Sequence, residues 1–386
     1  MKKIKLVNIL NIIYLLNITI IIINSFFNYK ISDFYFKEFF LNYSDGFLRR
    51  AIDGEIIYYL SFYTKISPLI FLPIISSIII ILFFVLLIRF ISRNKYLWIV
   101  IFSMPVLLSE IYYGSIFRKD ISVLLLLLLQ FTVIIKWKEA FSKNIILCLI
   151  SIFSIFFHEI FFFLSLVPHL ILLISPKYRF TSLLLLGVNS ILFLLAYKYS
   201  GYKIDSNVII NSWEVIDKNV EPYLMRLNKI LYVRSTLITK SSSWNLFTAL
   251  NFVFFLFVNF YFIMGVVASK IENHRKNVFV FTLVLNQIVL VFLCAIAVDF
   301  SRWFFMVNLT SIIFPYLIDD KFLEVFNNST KTLAVKLQKI DVYFNYRISY
   351  YLFLFLGMPF FGLWDMKEYF SKIPISILLS AIGNYK

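Results

Sequence analysis

Runs of about twenty apolar residues, long enough to cross a bilayer's hydrocarbon core as an α-helix, recur along this chain, separated by short turns rich in Lys and Arg. In hydrocarbon, backbone N–H and C=O groups must be paired within the protein, which leaves only helices or a closed barrel. Barrel strands would alternate apolar and polar residues over segments of about ten. These runs are continuous, so helices are expected. The composition agrees: 61% of the 386 residues are hydrophobic and 15% charged, against about 45–50% and about 25% in globular domains. The expected fold is all-α, a polytopic integral membrane protein with about 11 (10–12) transmembrane helices and polar external loops, residues 1–386 forming a single transmembrane domain.

The formal net charge of +16 sits mostly in the turns between apolar runs. Cytoplasmic loops collect Lys and Arg, so topology explains the excess and no nucleic-acid partner is expected. Cys148 and Cys294 both lie inside apolar runs and read as buried residues rather than a disulfide, with no metal-ligand spacing around them. The N-terminus, Met-Lys-Lys-Ile-Lys before an apolar stretch, resembles a secretory signal without a small-residue cleavage site. It is read as an uncleaved first helix over residues 4–26 with a cytoplasmic N-terminus.

Basic turns then fix the alternation of sides. Residues 27–66 form an external loop in which Ile52, Ile56, Ile57, Leu60 and Tyr63 recur at helical spacing, predicting an interfacial amphipathic helix. Spans are expected at 67–90, 97–113 and 121–136. The apolar run from Asn144 to Ser175 is interrupted at His158-Glu159, which predicts two short helices meeting externally. A span over 180–198 leads to an external loop, 199–243, too long and polar for a plain connector. Further spans are expected at 244–269, 278–298, 303–318 and 348–364.

With the sides so assigned, the unusual charges gather on the external face. The stretch Asn42–Glu55 packs Asp45, Arg49, Arg50, Asp53 and Glu55 between apolar flanks and holds Gly46 and Gly54, two of only nine glycines. To it are added Arg118, Lys119 and Asp120, then His158 and Glu159, and finally Asp299, Arg302 and Trp303. Charges at this depth cost a few kcal/mol unless compensated and mark function by default. Blander readings exist for each: arginines that snorkel, Asp120 as a helix cap, Asp299–Arg302 as a helix-end ion pair. Guanidinium groups grip phosphate bidentately, and a carboxylate or imidazole can take a proton from a sugar hydroxyl. There is no nucleotide-binding loop, dinucleotide fingerprint or zinc motif, which argues against a nucleotide-driven pump.

Asp45-Gly46-Phe47-Leu48-Arg49-Arg50, Phe117-Arg118-Lys119-Asp120, His158-Glu159 and Asp299-Phe300-Ser301-Arg302-Trp303 together resemble bacterial O-antigen and capsular polysaccharide polymerases, and in plan the type C membrane glycosyltransferases. The resemblance implies a glycosyltransferase of the bacterial inner membrane, its active face periplasmic. It would join undecaprenyl-diphosphate-linked oligosaccharide repeat units in lipopolysaccharide or capsule synthesis. The implied catalytic residues are Asp45, His158 and Glu159; the implied substrate-binding residues are Arg49, Arg50, Arg118, Lys119, Asp299, Arg302 and Trp303. The first external loop holds no paired acidic motif, so no metal or other cofactor is assigned. Lipid-linked oligosaccharide, membrane lipids, a chain-length regulator and a flippase of the same pathway are the implied partners. Two alternatives stay open at this level: a type C enzyme adding one sugar from a polyprenyl-phosphate donor, and a lipid-linked sugar flippase or transporter.

Overall fold

A computed structural model of the chain describes residues 38–91, 119–199, 205–220, 271–296 and 300–330, with isolated positions at 224 and between 253 and 264. The spans expected at 4–26, 97–113 and 348–364, and most of the one at 244–269, lie outside the described residues. The chain divides into two compact units, one of residues 31–89 and 116–239, the other of residues 1–30, 90–115 and 240–386. Among the described residues every regular element is helical.

In the first unit, a 3₁₀ turn at Glu38–Phe40 leads through an irregular loop into α1 (Ile52–Thr64) and α2 (Pro68–Ile91). Then come α3 (Lys119–Lys136), α4 (Ala140–Phe157), α5 (Ile160–Leu172), α6 (Pro176–Tyr199) and the short α7 (Ser206–Glu214). The helix expected within the first external loop is α1, and the run 144–175 breaks at His158-Glu159 into α4 and α5, as the charged pair predicted. α1 is apolar on the outside. It buries Asp53, Gly54, Ile57 and Ser61 and exposes Ile56, Tyr59, Leu60, Phe62 and Tyr63. On α2, Ile70, Ile74, Ile78, Ile81, Leu82 and Val85 are likewise exposed. Water would penalise so large an apolar surface, whereas lipid does not.

Helices α3 to α6 pack as an up-and-down bundle whose register is set by polar ties. Thr181 Oγ1 donates to Asn144 Oδ1 at 3.2 Å, placing the start of α6 beside the start of α4. Asn189 Nδ2 donates to Ser165 Oγ at 3.2 Å, and Phe193 stacks on Phe162 at 4.8 Å, so α5 runs antiparallel to α6. Between α3, α4 and α5, Gln130 Nε2 donates to Ser151 Oγ at 2.9 Å and Gln130 Oε1 faces His169 Nε2 at 3.2 Å. Such interhelical bonds contribute about 0.6 kcal/mol each in bilayers. One bundle end therefore carries Lys119, Phe157, His158, Glu159 and Tyr197; the other carries Lys136, Lys143, Lys177 and Arg179.

In the second unit, α8 (Asn273–Ile296) packs along α9 (Phe300–Leu317), with α10 (Asp320–Ser329) folded against α8. Arg275 closes the end of α9. Its Nη1 donates to the carbonyls of Pro315 (2.6 Å) and Ile318 (3.3 Å), its Nη2 to Asp320 (2.8 Å) and its Nε to Glu272 (3.1 Å). A cation here meets the negative end of the helix dipole. α10 was not foreseen in the basic connecting segment. It is capped by Asp319, whose Oδ1 accepts from Phe322 N at 2.8 Å, and buries Phe322, Leu323 and Phe326.

Among the described residues, Pro68–Phe90, Ala140–Phe157, Pro176–Tyr199 and Asn273–Leu293 are long and apolar enough to cross a bilayer, with Ile160–Leu172 and Trp303–Leu317 as shorter apolar helices. The protein is a membrane-embedded helical protein.

Two glycines should respond oppositely to a methyl group. A Cβ on Gly54 would lie 1.9 Å from the Leu41 carbonyl oxygen, whereas one on Gly187, within α6, meets nothing within 4 Å. Gly54→Ala should abolish monodisperse protein in detergent or sharply lower its thermal midpoint. Gly187→Ala should leave the midpoint unchanged or raise it, by up to about 0.5–1 kcal/mol of stability.

Candidate functional site

The site is assembled where the loop 41–51 docks on the broken end of the α4–α5 hairpin. α4 stops because His158 turns into extended backbone (φ −163°, ψ 116°), and the last carbonyls of a helix need outside donors. One is the backbone N–H of Arg50, which donates to Phe156 O at 3.1 Å. Arg50 itself is left-handed (φ 63°), a conformation costing a non-glycine residue about 1–2 kcal/mol. It persists because its backbone N–H, its carbonyl and its guanidinium are each engaged. Its carbonyl accepts from Lys119 Nζ at 2.7 Å, and its guanidinium grips Glu159 through both carboxylate oxygens, Nε to Oε2 at 2.7 Å and Nη2 to Oε1. Strain so over-determined is typical of functional positions.

Glu159 lies between two arginines, with Arg49 Nη1 3.6 Å from Oε1. Burial alone would push its carboxyl up. The Arg50 guanidinium against it, with His158 and then Arg49 beside it, outweighs burial and holds it well below the usual carboxylate range. Glu159 is therefore a charged anchor for Arg50. His158 Nδ1 is 3.7 Å from Glu159 Oε2, but it accepts from Ile160 N at 3.2 Å.

A second ion pair lies beneath the first. Lys119, fully buried at the start of α3, places Nζ 2.7 Å from Asp53 Oδ1 and 2.6 Å from Oδ2, between the Phe39 and Phe157 rings at 5.2 and 5.4 Å from their centroids. Lys119 thus ties α1, α3 and the Arg50 backbone into one unit. Asp53 was not among the assigned site residues, although its place three residues after Arg50, among five charges between apolar flanks, was a signal. Asp120 is buried beside Lys119.

Asp45 sits half-buried at the edge of the loop, within a turn closed by Gly46 N donating to Tyr43 O at 3.1 Å and made by Gly46 at φ 108°. Its carboxylate accepts from the backbone N–H of Asp205, at the start of α7. There α7 closes over the loop. Trp213 Nε1 donates to Phe40 O at 2.8 Å, Asn42 Nδ2 donates to Ser212 Oγ at 2.9 Å, and Ser67 donates to Asp217. Trp213, Ile209 and Val220 join Phe40, Leu41, Leu48 and Ile57 in one core. The described part of the loop 199–243 is thus a packed cap.

The structure accordingly brings Arg49, Arg50, Lys119, His158 and Glu159 together and puts Asp45 at the rim. Arg118 and Asp299 lie outside the described residues, as does the side chain of Arg302. Trp303 is buried in α9, in the other compact unit.

Removing Lys119 would leave Asp53 as a buried charge, a loss typically of about 3–5 kcal/mol. Lys119→Met should therefore strongly lower the thermal midpoint in detergent. Lys119→Met with Asp53→Leu should recover most of that loss, because a well-packed apolar pair replaces a buried ion pair at little cost. Compared with known protein families, curated proteins and solved structures, the chain matches none, and its function has to be argued from this site.

Proposed function

We propose that the chain is a membrane glycosyltransferase of the polymerising kind, joining undecaprenyl-diphosphate-linked oligosaccharides at the outer face of a bacterial inner membrane. The observation that carries the reading is the placement of Arg49, Arg50 and His158 around Glu159, at the bundle end opposite Lys136, Lys143, Lys177 and Arg179. Because basic turns face the cytoplasm, the charged site faces outward, where lipid-linked donors and acceptors would meet without a nucleotide sugar.

In this reading the guanidinium groups of Arg49 and Arg50 bind the diphosphate and stabilise it as it departs, the electrostatic role of a pre-set donor array. Arg118 and the side chain of Arg302, to which the resemblance gives the same role, lie outside the described residues. Glu159 holds Arg50 ready until the substrate arrives. Asp45, half-buried at the loop edge, is the candidate base for the acceptor hydroxyl, with His158 as its alternative, and the cap built on α7 limits water access. Transfer from a polyprenyl-phosphate donor of a single sugar uses the same groups and is the second reading.

Deleting the gene should remove the long polysaccharide ladder and leave a single repeat unit on its carrier. A truncated repeat unit would support single-sugar transfer, and an unchanged pattern would sink both. Arg50→Gly should discriminate charge from backbone. Glycine accepts φ near +60° without strain, but Glu159 is then left with Arg49 alone, so Arg50→Gly should lower the thermal midpoint and lose the ladder; Arg50→Lys, which keeps a cation on Glu159, should hold the midpoint better and still lose the ladder because an ammonium cannot bind two oxygens in parallel. Full polymerisation by a combined Arg49→Ala, Arg118→Ala and Arg302→Ala variant would overturn the phosphate-binding role.

A further inference from the structure

Asp45 is held differently from the two buried carboxylates at the charged end. Glu159 and Asp53 face cations, Arg50 and Lys119. The Asp45 carboxylate instead takes a neutral donor, the backbone N–H of Asp205, on Oδ2, and no other donor among the described residues meets it. One oxygen is thus tied down, which leaves Oδ1 to a substrate hydroxyl. A carboxylate on a loop otherwise turns through its rotamers; pinning one oxygen to a fixed donor sets where the other points.

That donor stands at one end of a rigid rod. Asp205 is the N-cap of α7, in extended backbone (φ −88°, ψ 116°), with its own Oδ1 accepting from Asn207 N at 2.9 Å. Its N–H lies outside the helical ladder. Eight residues on, roughly 12 Å at 1.5 Å per residue, the fully buried Trp213 anchors the far end of α7. The indole stands edge-on to Phe40 at 5.1 Å and to Tyr58 at 5.4 Å, and its Nε1 donates to Phe40 O at 2.8 Å. Phe40 leads into the loop that carries Arg49 and Arg50, and Tyr58 belongs to α1, which carries Asp53. α7 therefore joins the frame of the cations to the open carboxylate.

We propose that Asp205 is a positioning residue for Asp45: through its N–H, the seated α7 aims Oδ1 at the acceptor hydroxyl, and the site is complete only with α7 docked on the loop. This rests on the reading of Asp45 as the base. It gives the cap a second task beside limiting water, since a segment remote in sequence then fixes part of the reacting geometry. A base has to lie within hydrogen-bond reach of the proton it takes, and a misplacement of about 1 Å can cost about a hundredfold in rate.

The test compares two substitutions in the full chain, reconstituted in vesicles with undecaprenyl-diphosphate-linked repeat units extracted from cells lacking the gene. Asp205→Ala removes the capping carboxylate and keeps the N–H. Asp205→Pro removes both, and the local φ of −88° is near the proline value of about −65°. Both lose the cap of α7, so their thermal midpoints should agree, while kcat of the proline variant should lie at least about tenfold below that of the alanine variant with KM unchanged. Asp45→Asn should lose kcat by itself, and adding Asp205→Pro to it should cost nothing more, as two members of one contact behave. Equal kcat in the two Asp205 variants, or a further loss in the double variant, would overturn the positioning role. Full kcat in Asp45→Asn would instead overturn the reading of Asp45 as base, and the inference with it. Should the proline variant not fold, Trp213 decides: Trp213→Ala, which frees the far end of α7, should fall at least about tenfold in kcat below Trp213→Phe, which keeps a ring there. Equal kcat in that pair would likewise sink the proposal.

Discussion

Everything at the charged end of the first unit depends on two stacked ion pairs, Arg50–Glu159 and Lys119–Asp53. Each places a cation from one chain segment on a carboxylate from another, in surroundings where an unpartnered charge would be costly. Together they join the loop 41–51 and α1 to the bundle end formed by α3, α4 and α5. Hydrophobic burial cannot do this in a bilayer, because lipid tails are as apolar as the side chains they would replace. Charge pairing supplies the specificity that the hydrophobic effect supplies in water-soluble proteins.

The same constraint accounts for the inverted appearance of α1. Its inner face carries Asp53, Gly54 and Ser61, and its outer face Ile56, Phe62 and Tyr63. Asp53 needs Lys119, and Gly54 is needed because the Leu41 carbonyl occupies the space where a side chain would begin. Packing that close is what brings the Arg49-Arg50 pair up against the α4–α5 break. The left-handed backbone at Arg50 is the local cost of that junction. Its three sets of partners, Phe156, Lys119 and Glu159, offset the strain while leaving two guanidinium groups side by side.

The cap built on α7 adds water-soluble character at the same end. Trp213 reaches the Phe40 carbonyl within a core of its own, so this polar segment is ordered by ordinary burial rather than by lipid. A bundle held by polar ties and a cap held by an apolar core are therefore joined by a strained, charged loop.

The membrane class, the helices α2 to α6 and the break at His158-Glu159 were legible in the sequence because bilayer thickness and the cost of buried charge act on residue type alone. So was the prominence of Arg49, Arg50 and Lys119. The partnerships were not legible: nothing in local spacing pairs Lys119 with Asp53, 66 residues away, or directs Arg50 at Glu159 rather than at the nearer Asp53. The half-buried position of Asp45, the requirement for glycine at 54 and the helix α10 were equally hidden. Each is decided by which backbone arrives next to which, and that is a property of tertiary packing. Sequence determined which residues could not remain unpartnered in a membrane, and the fold alone decided their partners.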